Sequence, residues 1–99
     1  MKPIITATII DYQNNVICTK TNNYTKTHPL QAKFAVLANK PHNIYLHAEI
    51  AAIIAAKGKP IKSIIISRFN KEGKPLPAAP CPICRLAIKH FNIKNIYHT

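Results

Sequence analysis

The sequence predicts an α/β fold: a minimal, four-stranded mixed sheet with helices on both faces. Three stretches carry that expectation. His47-Ala48-Glu49 opens an apolar run, Ile50 to Ala56, in which Ile50, Ile53 and Ile54 fall at i, i+3 and i+4 and so share a helix face. Pro80-Cys81-Pro82-Ile83-Cys84 opens a second helix, with Ile83, Leu86, Ala87, His90 and Phe91 along one side. Between them, Ser63-Ile64-Ile65-Ile66-Ser67 is a continuous β-branched run, the mark of a strand covered on both faces.

In chain order, Ile4 to Ile10 and Val16 to Thr21 are β-branched and apolar. The turn-rich Asp11-Tyr12-Gln13-Asn14-Asn15 between them makes a β-hairpin, and Asn22-Asn23-Tyr24 closes its second strand. Thr27-His28-Pro29 is a helix start, with Thr27 or His28 at the cap and Pro29 in the first turn. Leu30, Phe34 and Leu37 give that helix its apolar stripe, and it ends near Asn39, before Pro41. Ile44-Tyr45-Leu46 leads into the helix at His47. Its last turn holds Lys57, a cation suited to the carbonyl end, and Gly58 and Pro60 stop it. Asn70 to Ala79 is a loop punctuated by Gly73, Pro75 and Pro77. The Cys81 helix ends near Phe91, and Ile93 to Tyr97 is the last strand. A crossover through that helix makes the last two strands parallel. Both helix starts then meet at one end of the sheet, where α/β folds place ligands.

Ninety-nine residues make a single domain, 1–99, with one core and no need of disulfides. The formal net charge of +11 has two readings. It attracts a polyanion or a phosphorylated substrate, or it reflects solvated lysines scattered from Lys2 to Lys94 without a dense cluster. Both stay open. Three cysteines, two of them in a metal-type motif, do not form a disulfide framework. Cys18, beside Val16 and Ile17, reads as a small buried hydrophobe. No stretch has the apolar length to span a bilayer, and no charged-apolar-small leader opens the chain. The expectation is a soluble, cytoplasmic protein with reduced thiols and no membrane partner.

His47 and Glu49 lie at one helix start, Cys81 and Cys84 at the other, and the N-terminal dipole favours thiolates there. One imidazole and two thiolates are three ligands. Zinc held by three protein ligands keeps a fourth position for water, which marks a catalytic site. Glu49 is one of three acids in the chain and stands two residues from the His. It is placed to move that water's proton; as a plain cap charge it would only suit the dipole, and a cap needs neither the His nor the distant Cys pair.

His47-Ala48-Glu49 followed by Pro80-Cys81-Pro82-Ile83-Cys84 resembles the zinc-dependent cytidine/deoxycytidylate deaminase superfamily, whose signature is His-x-Glu then Pro-Cys-x-x-Cys. Thirty-four positions separate His47 from Cys81, room for a helix, a strand and a loop. The resemblance implies a three-layer sandwich and Zn²⁺ held by His47, Cys81 and Cys84. It implies hydrolytic deamination at C4 of a cytosine-type ring, or C6 of an adenine, in a nucleoside or nucleotide. Glu49 would take the water proton, protonate the ring nitrogen and help ammonia leave. Substrate contacts would come from Asn23 or Asn22 on the sugar, the Ala48 N–H on the base carbonyl, and Tyr97-His98 after the last strand. Asn22 and Asn23 are equally turn residues, and Tyr97 lies near the chain end. The superfamily's sheet usually carries a further strand and flanking helices that this sequence lacks. One side of the fold is then uncovered, which predicts a homo-oligomer, and positions used for substrate choice are missing.

Three other readings compete. Cys81-Pro82-Ile83-Cys84 is also similar to the glutaredoxin redox motif, but that motif follows a first strand and leaves His47 and Glu49 unexplained. Editing of single-stranded DNA or RNA fits the charge, yet there is no tryptophan and Tyr24, Tyr45, Phe69 and Tyr97 are dispersed. A non-catalytic, zinc-stabilised nucleic-acid-binding module would more often close the metal's fourth position with a protein ligand.

Overall fold

The computed structural model describes residues 4–99. Its elements are β1 (Ile5–Ile10), β2 (Val16–Thr21), α1 (Pro29–Leu37), α2 (Ala48–Ala55), β3 (Ser63–Arg68), α3 (Pro82–His90) and β4 (Asn95–His98). The strands form one sheet in the order β2-β1-β3-β4. β1 is antiparallel to both neighbours, and β3 and β4 run parallel across the α3 crossover. The predicted α/β class, mixed four-stranded sheet and three helices are all present.

Register decides which side chains meet the helices. Ala7 pairs with Ile66 and Ile9 with Ile64, and all four are fully buried on one face. α2 covers that face over β1 and β2, and the Cys18 thiol beside Ile9 donates to the Ala52 carbonyl at 3.4 Å. Cys18, expected to be buried, is half-buried against this core. α1 leans on α3: the Phe34 ring meets those of His90 and Phe91 with centroids 5.5 and 6.4 Å apart. The helices thus gather over one face, which corrects the expectation of a three-layer sandwich with helices on both faces. The other face, with Thr6, Thr8, Ile65 and Ser67, is half-buried. The unbroken isoleucines of β3 hide this asymmetry, because Ile65 is as apolar as its fully buried neighbours Ile64 and Ile66.

Helix ends follow short-range chemistry. The His28 Nδ1 accepts from Leu30 N at 3.0 Å and caps α1, with Pro29 next. α1 and α3 each end in a left-handed residue, Asn39 (φ 59°) and Asn92 (φ 57°). Lys40 N then reaches the Ala35 carbonyl at 2.8 Å and Ile93 N the Ile88 carbonyl at 3.2 Å, which satisfies carbonyls of the last turn.

Three local expectations are corrected. Leu37 is 62% exposed, and the inner face of α1 is Gln31, Phe34 and Ala35 instead. A polar Gln wins that place because it has hydrogen-bond partners there. Lys57 lies beyond the last turn of α2: the helix caps at Ala56, and Lys57 and Gly58 take left-handed φ of 51° and 81°. β4 begins at Asn95, so Tyr97 and His98 lie within the strand and not after it, while Ile93 is buried below it.

Candidate functional site

The two helix starts do converge. His47 is the N-cap of α2 and Cys81 the N-cap of α3, and neither side chain makes a capping bond. Ser, Thr, Asp or Asn would spend its side chain on the first-turn N–H groups at such a position. Here both caps keep theirs for each other. His47 Nδ1 lies 3.3 Å from Cys84 Sγ and 3.4 Å from Cys81 Sγ, and the three donor atoms all fall within 4.8 Å of one another. Zinc bonds of ~2.1 Å to nitrogen and ~2.3 Å to sulfur, at tetrahedral angles, need N···S separations of about 3.5 Å. The donor set fits zinc.

A second contact fixes the His47 backbone. Gln31, fully buried on α1, accepts from His47 N through Oε1 at 3.2 Å and donates from Nε2 to the Asn43 carbonyl at 3.1 Å. Asn43 belongs to the loop before α2, so one amide ties α1, that loop and the metal-ligand cap together.

The protonation states are set within this cluster. Hydrogen bonding from the Cys84 thiol, aided by His47, pulls the Cys81 thiol down to about 4. The Cys81 thiolate and burial push the Cys84 thiol far up. The bond to Cys81 raises the His47 imidazole against the opposing effect of burial. Glu49, in the first turn of α2 and 5% exposed, has its carboxyl raised by burial; bonds from its own backbone N–H and from Cys84 oppose the rise.

These groups open onto a cavity of about 410 Å³. His47, Ala48, Glu49 and Cys81 line it, together with Asn22, Asn23, Tyr24, Asn43, Tyr45 and Arg68 among others. The sequence matches the cytidine and deoxycytidylate deaminase zinc-binding region over residues 1–99.

The chain belongs to that family.

Comparison with curated proteins finds no match. At family level this deaminase is zinc-dependent, with His47, Cys81 and Cys84 as the cluster able to hold the metal. The family implies a small-molecule substrate, and no helix among the described residues is long and apolar enough to cross a membrane.

Of the expected substrate contacts, Ala48, Asn22 and Asn23 line the cavity and Tyr97 is not among its lining. Tyr97 pairs with Ile65 on the parallel strands, 56% exposed and on the half-open face. The Asn23 Oδ1 is already engaged by Thr25 N and Lys26 N, each at 2.8 Å, and by the Thr25 hydroxyl at 2.9 Å. The Asn22 Oδ1 accepts from Ile5 N at 3.0 Å. Asn23 therefore holds its own turn and Asn22 ties the end of β2 to β1, while both line the cavity.

Two site residues escaped the sequence reading. Gln31 was hidden because a polar residue on an apolar stripe looks solvent-facing. Arg68 is hidden in the sequence because the β-branched run stops at Ser67; one more residue of alternation puts Arg68 on the face of Ile64 and Ile66. Its rarity was a signal, since it is one of two arginines among twelve lysines.

Proposed function

We propose that this protein hydrolytically deaminates a cytosine-type base in a nucleoside or nucleotide, with Glu49 moving the protons. The carrying observation is a carboxyl group 5% exposed that lines the cavity, beside His47 and Cys84. When bound to His47, Cys81 and Cys84, zinc supplies Lewis-acid activation of water near neutral pH. Glu49 accepts a proton from the attacking water and delivers it to the ring nitrogen. It then carries the second proton to the exocyclic amine, which departs as ammonia. Burial suits that duty, because it raises the Glu49 carboxyl above its ordinary value and so makes it a better proton acceptor. The Ala48 N–H is a first-turn donor without an intrahelical acceptor, suited to the base carbonyl. Residues 1–99 act as one deaminase domain in this reading, and the half-open sheet face makes it a homo-oligomer.

Deamination within a single-stranded polynucleotide is a second reading, supported by the +11 charge and by exposed Tyr24 and Tyr45 at the cavity wall. The redox reading is weakened by His47, a third partner against both thiols. Glu49→Gln tests the proposal. It keeps the helix and the three donors, so zinc content and melting stay near the parent's, while ammonia release falls ~10²–10⁴-fold. A zinc-loaded variant that keeps pace with an active parent refutes the role of Glu49.

A further inference from the structure

Among the described residues, Arg68 is the one charged residue lining the cavity without a function in this scheme. It ends β3, and alternation turns its side chain to the same side as Ile64 and Ile66, where the helices carry the metal ligands. It lines the cavity together with His47 and Glu49. Its Nε is buried and has no hydrogen-bond partner. Buried polar groups are almost always paired, so an orphaned guanidinium donor in a ligand cavity calls for an acceptor. The other arginine, Arg85, has its acceptor within the protein: its Nε donates to the Pro80 carbonyl at 3.0 Å.

The backbone beneath Arg68 is held still. Arg68 N donates to the Thr99 hydroxyl at 3.1 Å, and the Arg68 carbonyl accepts from Leu76 N at 2.8 Å. The Thr99 hydroxyl in turn bonds the Leu76 carbonyl at 2.6 Å. A fixed base with an unpaired guanidinium Nε donor is a preorganised anion site.

We propose that Arg68 is a specificity-determining residue that receives the 5′-phosphate of a pyrimidine nucleotide in this cavity. A base or sugar oxygen would satisfy the hydrogen bond but leave the guanidinium charge uncompensated. Among the described residues Glu49 is the only carboxylate lining the cavity, and the deamination reading employs it elsewhere. A phosphate supplies both acceptor and charge, and planar bidentate recognition of phosphate is what arginine does better than lysine. The +11 of the whole chain draws the same ligand inward. The inference rests on the reading that the cavity takes a pyrimidine, and it selects the nucleotide over the nucleoside.

The test uses reaction products, so that turnover plays no part. Zinc-loaded parent, Arg68→Gln and Arg68→Lys are titrated calorimetrically with uridine, deoxyuridine, their 5′-monophosphates and a short single-stranded oligonucleotide. The parent should prefer monophosphate to nucleoside by about 10- to 100-fold. Arg68→Gln should bring that ratio near one, and Arg68→Lys, which keeps charge but not the fork, should fall between. In the parent, monophosphate but not nucleoside should protect Arg68 from phenylglyoxal, read by peptide mapping against Arg85. That arm needs no variant to fold. The proposal is overturned if the parent shows no preference, if folded Arg68→Gln keeps it, if nucleoside protects equally, or if only the oligonucleotide binds. A parent that deaminates cytidine but fails these arms loses the Arg68 assignment and keeps the deaminase reading. Arg68-dependent monophosphate binding without deamination does the reverse.

Discussion

Cys81 and Cys84 lie one helical turn apart and hold their protons in opposite ways. Cys81, the cap residue, is the thiolate of the pair, and Cys84, fully buried, is the thiol that donates to it. The sign of the effect is that of a depressed acid. Thiolate at Cys81 contributes to the folded state above the unfolded thiol's pKa, and that contribution is lost as pH falls through about 4. In metal-free protein at pH 5.5, iodoacetamide should therefore alkylate Cys81 and spare Cys84 and Cys18, the latter raised by burial. Zinc should block the reaction. Mass spectrometry of the alkylated peptides checks this, and equal labelling of all three thiols would contradict the geometry. The side chains of His47 and Cys81 make no capping bond although both residues are N-caps, because a ligand cannot also be spent on backbone N–H groups.

Among the elements, α1 has the least obvious role and the most specific one. Its stripe meets α3 through Phe34, but its buried Gln31 braces the His47 backbone N–H and the Asn43 carbonyl. Gln31→Met fills the space and leaves both groups without partners, at a cost of about 1–3 kcal/mol each when buried. The expected outcome is a lower melting temperature and, because a ligand's support is lost, zinc affinity weaker by about 10- to 100-fold. Gln31→Glu keeps the acceptor for His47 N and should retain more of the zinc affinity than of the stability. Thermal melts with chelator competition separate the two effects. Unchanged zinc affinity in both variants would reduce Gln31 to ordinary packing.

For the molecule as a whole, among the described residues, one sheet face and the two edge strands, β2 and β4, stay open. Thr6, Thr8, Ile65 and Ser67 are half-buried, and on β4 Ile96 and Tyr97 are 42% and 56% exposed. Open edges and faces of this kind are usually covered. Light scattering at micromolar concentration should give a multiple of the monomer mass. The +11 charge opposes association, so added salt should favour it. A monomer at both low and high salt would dismiss the expectation.

Local patterns were enough for the element order, the parallel pairing across α3, the hairpin and the three metal donors. Helix starts, turns and β-branched runs are written in a few adjacent residues, and a metal motif declares itself by residue type and spacing. What only the tertiary structure decided were matters of direction. Gln31 is inside and Leu37 outside because a distant backbone N–H and carbonyl, at His47 and Asn43, wait for an amide. Tyr97 sits away from the cavity, and Arg68 in its wall, because strand register assigns alternate residues to opposite faces. No local window contains that register; it comes from strands paired across dozens of residues, and it decides which side chains the metal centre can meet.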